Sequence, residues 1–364
     1  MSAASAPSVL EPRTIDEVVE AVRSHPRLLP VGGGSKPVPA AVPPGFAALS
    51  LRSLAGIREY DPAEYTFTAL AGTPLRTVAE ELARHGQYLP FDPPLAERGA
   101  TLGGTIATGV SGPGRQRYGG VRDFILGLRL VTGAGELVQG GGKVVKNAAG
   151  FDLPKLFVGS LGRLGVMAEV TFKVFPRPQA HATLRVDFPD LAAALAAVGR
   201  LGASPFDFEG LELDPPGTLW LRLGGAPETL AGRLGQLEVF SGRTGQRFQG
   251  EADADFWSRR VPLPADPASQ LLVKVPVTLA AIPELDGLLA AAGAARQYGA
   301  GASVAWIAWP GPAADLDALL MARGLSGLVL SGPSPRPLLG RVRGEGLRRR
   351  LKAALDPDGR FPDF

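Results

Sequence analysis

A short glycine-rich loop carries the clearest chemical signal in this chain of 364 residues. A predicted strand over residues 28–31 leads directly into Gly32-Gly33-Gly34-Ser35-Lys36-Pro37. Consecutive glycines let backbone N–H groups converge on one oxyanion, while Ser35 offers a hydroxyl and Lys36 a positive charge. The loop is therefore a candidate phosphate cradle. A bare tight turn is the alternative for this loop taken alone.

Glycine is concentrated again between residues 101 and 165, which hold 17 of the 48 glycines. Within this stretch, Thr101-Leu-Gly-Gly-Thr-Ile-Ala-Thr-Gly-Val-Ser-Gly112 consists largely of small residues. A run of this kind can lay its backbone flat along a large planar ligand. The alternative is a turn-rich region that binds nothing. A third glycine-containing segment, residues 145–166, is also a candidate ligand contact. The alternative is that its glycines allow a helix to pack closely on a sheet.

Several classes of chemistry are excluded by what the chain lacks. It contains no cysteine, which excludes disulfides, thiolate metal sites and thiol nucleophiles. Its three histidines, His25, His85 and His181, have no metal-ligand spacing, so no metal centre is expected. Neither a Gly-x-Gly-x-x-Gly motif nor a P-loop occurs, since Gly142-Lys143 is followed by valine.

Charge and hydropathy predict a cytoplasmic chain. The formal net charge is +3, which does not require a nucleic-acid partner. No window approaches 18 uninterrupted apolar residues, and the first 20 residues lack the features of a signal peptide. The chain itself is therefore expected to have no membrane span.

The first half of the chain mixes short helices and strands. Thr14-Ile-Asp-Glu17 predicts a capping box, and Thr73-Pro74 predicts the N-cap and first residue of a helix that extends to about residue 84. Other predictions are strands near 57–60, 65–70, 125–131, 137–139 and 165–174, and a helix at 152–158. Pro176 and Pro178 close the last strand and mark a domain boundary.

The second half predicts an α+β layer with helices on one face of an antiparallel sheet. The pattern gives strands at 183–188, 219–223, 271–277, 303–309 and 326–330, and helices near 191–201, 227–238, 283–292 and 313–322. The predicted domains are therefore residues 1–178, 179–340 and a C-terminal tail, 341–364.

The tail predicts an amphipathic helix over residues 345–355. Leu347, Leu351 and Leu355 are expected to point inward, and a basic run at residues 348–352 outward. The basic run predicts a solvated face, with an anionic partner as the lesser alternative.

The glycine segments, in this order, resemble the FAD-binding domain of the vanillyl-alcohol oxidase / p-cresol methylhydroxylase (PCMH-type) family over residues 10–178. The resemblance is carried most specifically by TLGGTIATGVSGPGRQRYGGVRDFILG and VVKNAAGFDLPKLFVGSLGRLGVMAEVTFKVFPRP. It implies an α+β fold with two subdomains that hold FAD, followed by a smaller α+β cap domain. Within the family, the chain resembles the FAD-binding subunits of bacterial glycolate oxidases.

The resemblance also assigns roles to individual residues. Gly32 to Pro37 would bind the pyrophosphate, small residues of the second segment would line the ribityl chain and isoalloxazine, and Gly165 and Val166 would meet the adenine end. The small residues in question are Gly103, Gly104, Ala107, Thr108, Gly109, Ser111 and Gly112. Members that bind FAD covalently use a histidine in the first loop or a cysteine elsewhere. Because this loop reads Gly-Ser-Lys and the chain has no cysteine, non-covalent FAD is expected.

The role that follows is a FAD subunit of a glycolate oxidase or dehydrogenase complex, acting in electron transfer beside a larger FAD subunit and an iron–sulfur subunit. The substrate of the complex would be a small 2-hydroxy acid. The alternative is a self-sufficient FAD-linked dehydrogenase or oxidase of a small hydroxy acid or alcohol, with a Tyr, Asp or Glu as base. A scaffold that has lost the cofactor is the weaker third hypothesis. No catalytic base is identified, because no histidine lies in a predicted flavin loop.

Overall fold

A computed structural model describes residues 8–142, 152–260, 266 and 268–364. The second half of the third glycine-rich segment is described, whereas residues 145–151, predicted to take part in it, lie outside the described residues. Up to residue 176 the strands are β1 Val9–Leu10, β2 Leu28–Val31, β3 Ala47–Ser50, β4 Ile57–Asp61, β5 Thr66–Leu70, β6 Gln87–Tyr88, β7 Ile125–Val131, β8 Leu137–Gly141, β9 Val166–Lys173 and β10 Phe175–Pro176. The helices are α1 Ile15–Ser24, α2 Leu75–Ala83, α3 Leu102–Thr108, α4 Arg115–Tyr118, α5 Val121–Phe124 and α6 Leu153–Leu156.

Beyond residue 176 the strands grow longer and alternate with helices. The strands are β11 Ala180–Asp187, β12 Phe208–Asp214, β13 Thr218–Gly225, β14 Gln246–Gln249, β15 Leu271–Pro276, β16 Ala295–Gly299, β17 Val304–Trp309, β18 Ser326–Ser331 and β19 Leu338–Gly340. The helices are α7 Leu191–Gly202, α8 Pro227–Ser241, α9 Glu251–Arg260, α10 Ile282–Ala291, α11 Ala313–Ala322 and, in the tail, α12 Glu345–Leu355. No helix in the described part of the chain is both long enough and apolar enough to cross a membrane.

The chain forms two compact units. The first comprises residues 1–111, 120–176 and 343–364, and the second comprises residues 112–119 and 177–342. Residues 112–119 therefore belong with the second unit although they lie inside the predicted first domain. The assignment of functional domains to residues 1–178, 179–340 and 341–364 stays a prediction.

The first unit contains a parallel sheet and an antiparallel sheet. The parallel sheet has the order β1-β3-β2, and the antiparallel sheet has the order β4-β5-β9-β7-β8. Strand β2 ends at Val31, so it delivers the glycine loop at its carboxyl end. The core beneath it includes Val18, Leu28, Val166 and the tail residue Phe361, each at most 1% exposed. Burial of such side chains stabilises the fold by roughly 1.5–3 kcal/mol each.

The second unit is built on a nine-stranded sheet with the order β14-β11-β13-β12-β16-β17-β15-β18-β19. Each pair of neighbours is antiparallel, which confirms the predicted sheet. Because side chains alternate along a strand, the register gives this sheet two different faces. One face is apolar and carries Leu184, Leu211, Leu221 and Val275, all fully buried.

Several local predictions are wrong in detail. The Thr14 hydroxyl caps α1 by accepting the N–H of Glu17, but the Glu17 carboxylate accepts the N–H of Arg13 rather than closing a box on Thr14. Thr73 does not cap α2, because its hydroxyl donates to the Leu70 carbonyl and Pro74 takes the N-cap position. Leu347 is 55% exposed instead of inward.

The largest departure concerns the second glycine segment. The sequence predicted a backbone lying flat along a ligand or a turn-rich region, yet residues 102–108 form helix α3. Thr101 caps this helix by accepting the N–H of Gly104, and Gly109 ends it in the left-handed conformation at φ +61°. An N-cap threonine and a left-handed C-cap glycine are standard capping residues, and they outweigh the low helix propensity of the two adjacent glycines. Strands β12, β14 and β16 and helix α9 were not predicted.

Candidate functional site

Two adjoining cavities in the first unit bring together the three predicted glycine segments. Gly32, Thr101, Gly104, Ala107 and Gly162 line both cavities. The first is also lined by Gly33, Gly34, Ser35, Lys36, Thr108 and Leu161, and the second by Gly103 and Gly165. Segments that lie far apart in sequence therefore form one concave site.

Close packing explains why glycine occupies the floor of this site. A Cβ atom added to Gly33 would lie 1.6 Å from the Gly99 carbonyl oxygen, and one added to Gly32 would lie 2.5 Å from Thr101 Oγ1. A Cβ on Gly103 would lie 3.0 Å from both the Cβ and the carbonyl oxygen of Ala71. These glycines let three backbone segments approach one another more closely than any other residue type allows.

The first loop presents unused hydrogen-bond donors. Within the described part of the chain, the backbone N–H groups of residues 32–36 donate to no protein oxygen. Arg52 stabilises the loop, because its Nη2 donates a hydrogen bond to the Gly33 carbonyl at 2.8 Å. A row of free N–H groups on a fixed loop is a candidate anion-binding nest.

Lys36 adds a buried positive charge to the nest. Its side chain lines the cavity although the residue is only 6% exposed. Its Nζ donates to the Ser35 hydroxyl at 3.2 Å, and no carboxylate among the described residues lies within ion-pair distance. Burial lowers the pKa of Lys36 from 10.5 to about 8. A buried cation without a protein anion fits a ligand that brings its own negative charge.

The structure does not bring every predicted residue to the cavities. Gly109 ends α3, Val166 is buried in the core, and Gly112 belongs to the second unit. The Ser111 hydroxyl accepts the N–H of Val121 at 3.1 Å. Pro37 does not line either cavity, whereas Pro39 and Ala40 of the same loop do. The binding roles assigned to these residues stay predictions.

Three lining or supporting residues were missed by sequence reasoning. Thr101 was quoted only as the start of a segment, yet it caps α3 and lines both cavities. Its place before Leu-Gly-Gly is a recognisable N-cap signal. Leu161 adopts the left-handed conformation at φ +54°, and Arg52 lies 19 residues from its partner Gly33. Neither feature has a signal in a single sequence.

A second cluster of polar residues lies on the other face of the nine-stranded sheet. The register places Thr183, Arg222, Glu212 and Lys274 on this polar face, opposite the apolar leucines. Helix α9 packs on part of it through Asp253, which is 1% exposed and pairs with Arg222 at 2.7 Å. Asp253 also accepts the Thr183 hydroxyl.

The short helix α4 contributes to the same face. Arg117 and Tyr118 both bind Glu209, a 4%-exposed carboxylate, at 2.9 and 2.7 Å. Lys274 has its pKa lowered to about 8, first by burial and then by the charge of Arg115. Arg117 and Tyr118 are therefore both hydrogen-bonded to one carboxylate of the same unit.

The histidines lie outside the cavities. His25 is the C-cap of α1, and His85 follows α2 beside Glu81. Burial, followed by the charge of Arg222, lowers the pKa of His181 to about 4. An imidazole with that pKa is neutral at pH 7 but is a weak proton acceptor, since effective general bases have pKa values near the working pH.

Comparison with known proteins identifies the family. The model of a family described as FAD binding domain matches residues 6–141. The chain is 39% identical to glycolate oxidase subunit GlcE of Escherichia coli strain K12 over 260 residues. This match covers 69% of this chain and 73% of GlcE. The chain belongs to the PCMH-type FAD-binding family. FAD is therefore its cofactor, and the chain is an FAD-dependent oxidoreductase.

Other relatives in this family share part of their length with the chain. Glycolate oxidase subunit GlcD of Bacillus subtilis strain 168 is 31% identical over 215 residues, covering 57% of this chain but only 46% of GlcD. A solved structure of alkyldihydroxyacetonephosphate synthase superposes with a TM-score of 0.69 at 20% identity, covering 96% of this chain and 76% of the synthase. That structure supports the PCMH-type fold over both units.

The nest and the buried lysine fit the diphosphate of FAD. Residues 32–36 would hold its oxygens through their N–H groups, and Lys36 would balance its charge. Bound FAD supplies a two-electron acceptor. These residues would hold the cofactor in place.

FAD affinity is expected to depend on pH through Lys36. The lysine is protonated below pH 8 in the apoprotein, and the bound diphosphate raises its pKa by favouring the charged form. The dissociation constant should therefore be constant below pH 8 and rise by about tenfold per pH unit above it, until the pKa of the complex is reached. Fluorescence titration of apoprotein with FAD from pH 6.5 to 10 measures this. Lys36→Met should remove this pH dependence, and an unchanged profile in the variant would refute the assignment.

Proposed function

We propose that this chain is the FAD-binding subunit of a multisubunit oxidase of glycolate or a related 2-hydroxy acid, and that it holds FAD without a covalent bond for electron transfer. The partners would be a larger FAD subunit and an iron–sulfur subunit. The proposal is supported by the match to GlcE, a named subunit of a glycolate oxidase, along 73% of its length.

The observation that carries the relay role is the chemistry of the first-unit cavities. Among the described residues, their lining consists of glycines, other small or apolar residues and Lys36, and it includes no histidine, carboxylate or tyrosine. Oxidation of a hydroxyl group requires a base that accepts its proton. His181 is poorly suited to that task because its pKa is about 4. The base is therefore proposed to lie on a partner subunit.

The residue types present in the chain and around the cavities also support non-covalent binding of FAD. The chain has no cysteine, and none of its three histidines lines either cavity. Retention of the cofactor would then depend on non-covalent contacts such as those of the nest and Lys36.

Two experiments test the two parts of this proposal. After acid precipitation of the purified chain, we expect all flavin in the supernatant. Glycolate added anaerobically to the chain alone should leave the flavin absorbance near 450 nm, a value roughly common to flavins, unchanged, whereas adding the two partner subunits should bleach it. Flavin that precipitates with the protein would contradict the non-covalent mode, and bleaching of the chain alone would contradict the relay role.

A self-sufficient dehydrogenase is the second candidate, and the polar face of the second unit favours it. Lys274, whose pKa burial and the charge of Arg115 lower to about 8, is a group able to exchange a proton near neutral pH. In that case the chain alone would be bleached by substrate, and Lys274→Met would slow the bleaching without changing FAD content. Arg349→Met, an exposed change on α12, is the matched control.

A further inference from the structure

The C-terminal tail is hydrogen-bonded to a turn, residues 161–165, that lines the two cavities. Lys352 lies on α12, and its Nζ donates to the Arg163 carbonyl at 3.0 Å. Arg163 is next in sequence to Gly162, which lines both cavities. A side chain near the end of the sequence therefore holds the backbone of the 161–165 turn.

The lysine is the centre of a buried network within the tail. Besides Arg163, its ammonium contacts the Asp356 carboxylate at 2.6 Å and the carbonyls of Phe361 and Pro362 at 2.6 and 3.2 Å. Asp356 is fully buried and accepts the N–H groups of Arg360 and Phe361 at 2.8 and 2.9 Å. Charge-assisted hydrogen bonds of this kind are strong and directional, so they define one position for the tail.

Further contacts fix the tail and the turn to the rest of the first unit. Arg163 donates back to the Asp363 carbonyl, and Arg360 donates to the carbonyls of Val22 and His25 at the end of α1. On its other side the turn is held by α3, because the Leu161 N–H donates to the Ala107 carbonyl at 2.9 Å. The turn thus lies between α3 and the tail.

We propose that Lys352 is a positioning residue for the cofactor, acting by holding the Leu161–Gly165 turn in the form that completes the FAD cavity. Docking of the tail and binding of FAD are then thermodynamically coupled, so each strengthens the other by the same factor. This proposal rests on the non-covalent FAD binding proposed above.

The test uses full-length apoprotein and FAD. Lys352→Met should raise the FAD dissociation constant about tenfold or more and speed hydrogen exchange at the Leu161 amide, whereas Lys352→Arg should restore part of the affinity. In the unsubstituted chain, FAD should slow exchange at the Arg360 and Phe361 amides. If Lys352→Met does not fold, the double variant Lys352→Met/Asp356→Asn is used in its place, because it removes both charges of the buried pair.

Two controls separate positioning from general stability. Arg349→Met changes an exposed ion pair on the same helix and should leave FAD affinity unchanged. Val18→Ala should destabilise the core in which Phe361 is packed, and Val18 makes no hydrogen bond to the turn through its side chain. A folded Lys352 variant with normal FAD affinity would overturn the proposal, as would an equal loss of affinity in Val18→Ala. Acid precipitation reports separately on non-covalent binding, and the exchange rate of the Leu161 amide in the Lys352 variant does not depend on how flavin is held.

Discussion

Replacing Gly33 with aspartate should yield a chain without FAD. The new Cβ atom would lie 1.6 Å from the Gly99 carbonyl oxygen, which forces apart the two segments that form the nest. The carboxylate would also place a negative charge where the diphosphate is expected. We expect affinity to fall by about 1000-fold or more, equivalent to about 4 kcal/mol. Flavin absorbance per chain and titration of apoprotein with FAD measure the effect.

A glycine-to-aspartate substitution at a position with open space around it provides the control. A Cβ atom added to Gly346 on α12 meets no atom within 4 Å, so Gly346→Asp should bind FAD normally. If Gly33→Asp fails to fold, Lys36→Met tests the nest without adding a clash. Loss of one charge-assisted contact is worth about 1.5–3 kcal/mol, or roughly a 10- to 100-fold weaker affinity. Stoichiometric FAD in folded Gly33→Asp would refute the assignment of the loop.

Replacing Asp253 with alanine should strongly destabilise the second unit. The change leaves Arg222, 15% exposed in its side chain, without its anion and removes the acceptor of the buried Thr183 hydroxyl. Breaking a buried ion pair by removing one partner costs about 3–5 kcal/mol. Tryptophan fluorescence during urea unfolding measures this selectively, because Trp220, Trp257, Trp306 and Trp309 all belong to the second unit.

Asp255 supplies the matched control on the same helix. It pairs with Arg259, but the two side chains are 55% and 77% exposed. Exposed pairs contribute about 1 kcal/mol at most, so Asp255→Ala should shift the transition little. Equal shifts for the two variants would show that the Asp253 network does not stabilise the unit as we infer.

The sequence could predict which glycine segments line the candidate site in large part because the requirements of such a site are local. Binding of a diphosphate by backbone N–H groups needs consecutive glycines and a cation, and Gly32 to Lys36 present both within five residues. Five strands of the second unit were predicted for a similar reason, since alternation of side chains is visible along a single segment: β11, β13, β15, β17 and β18. Helix α3 was missed, because two glycines conceal a helix that Thr101 and Gly109 define at its ends.

What the sequence by itself determined about this protein is the chemistry of its loops: glycine for close approach, a lysine for charge, and no thiol. Only the tertiary structure decided which distant groups hold those loops in place. Lys352 meets the Arg163 carbonyl across 189 residues, and Arg117 meets Glu209 across 92. Residue types and spacing encode conformations of neighbouring residues, whereas such contacts arise only when separate segments pack together, and no local pattern records them.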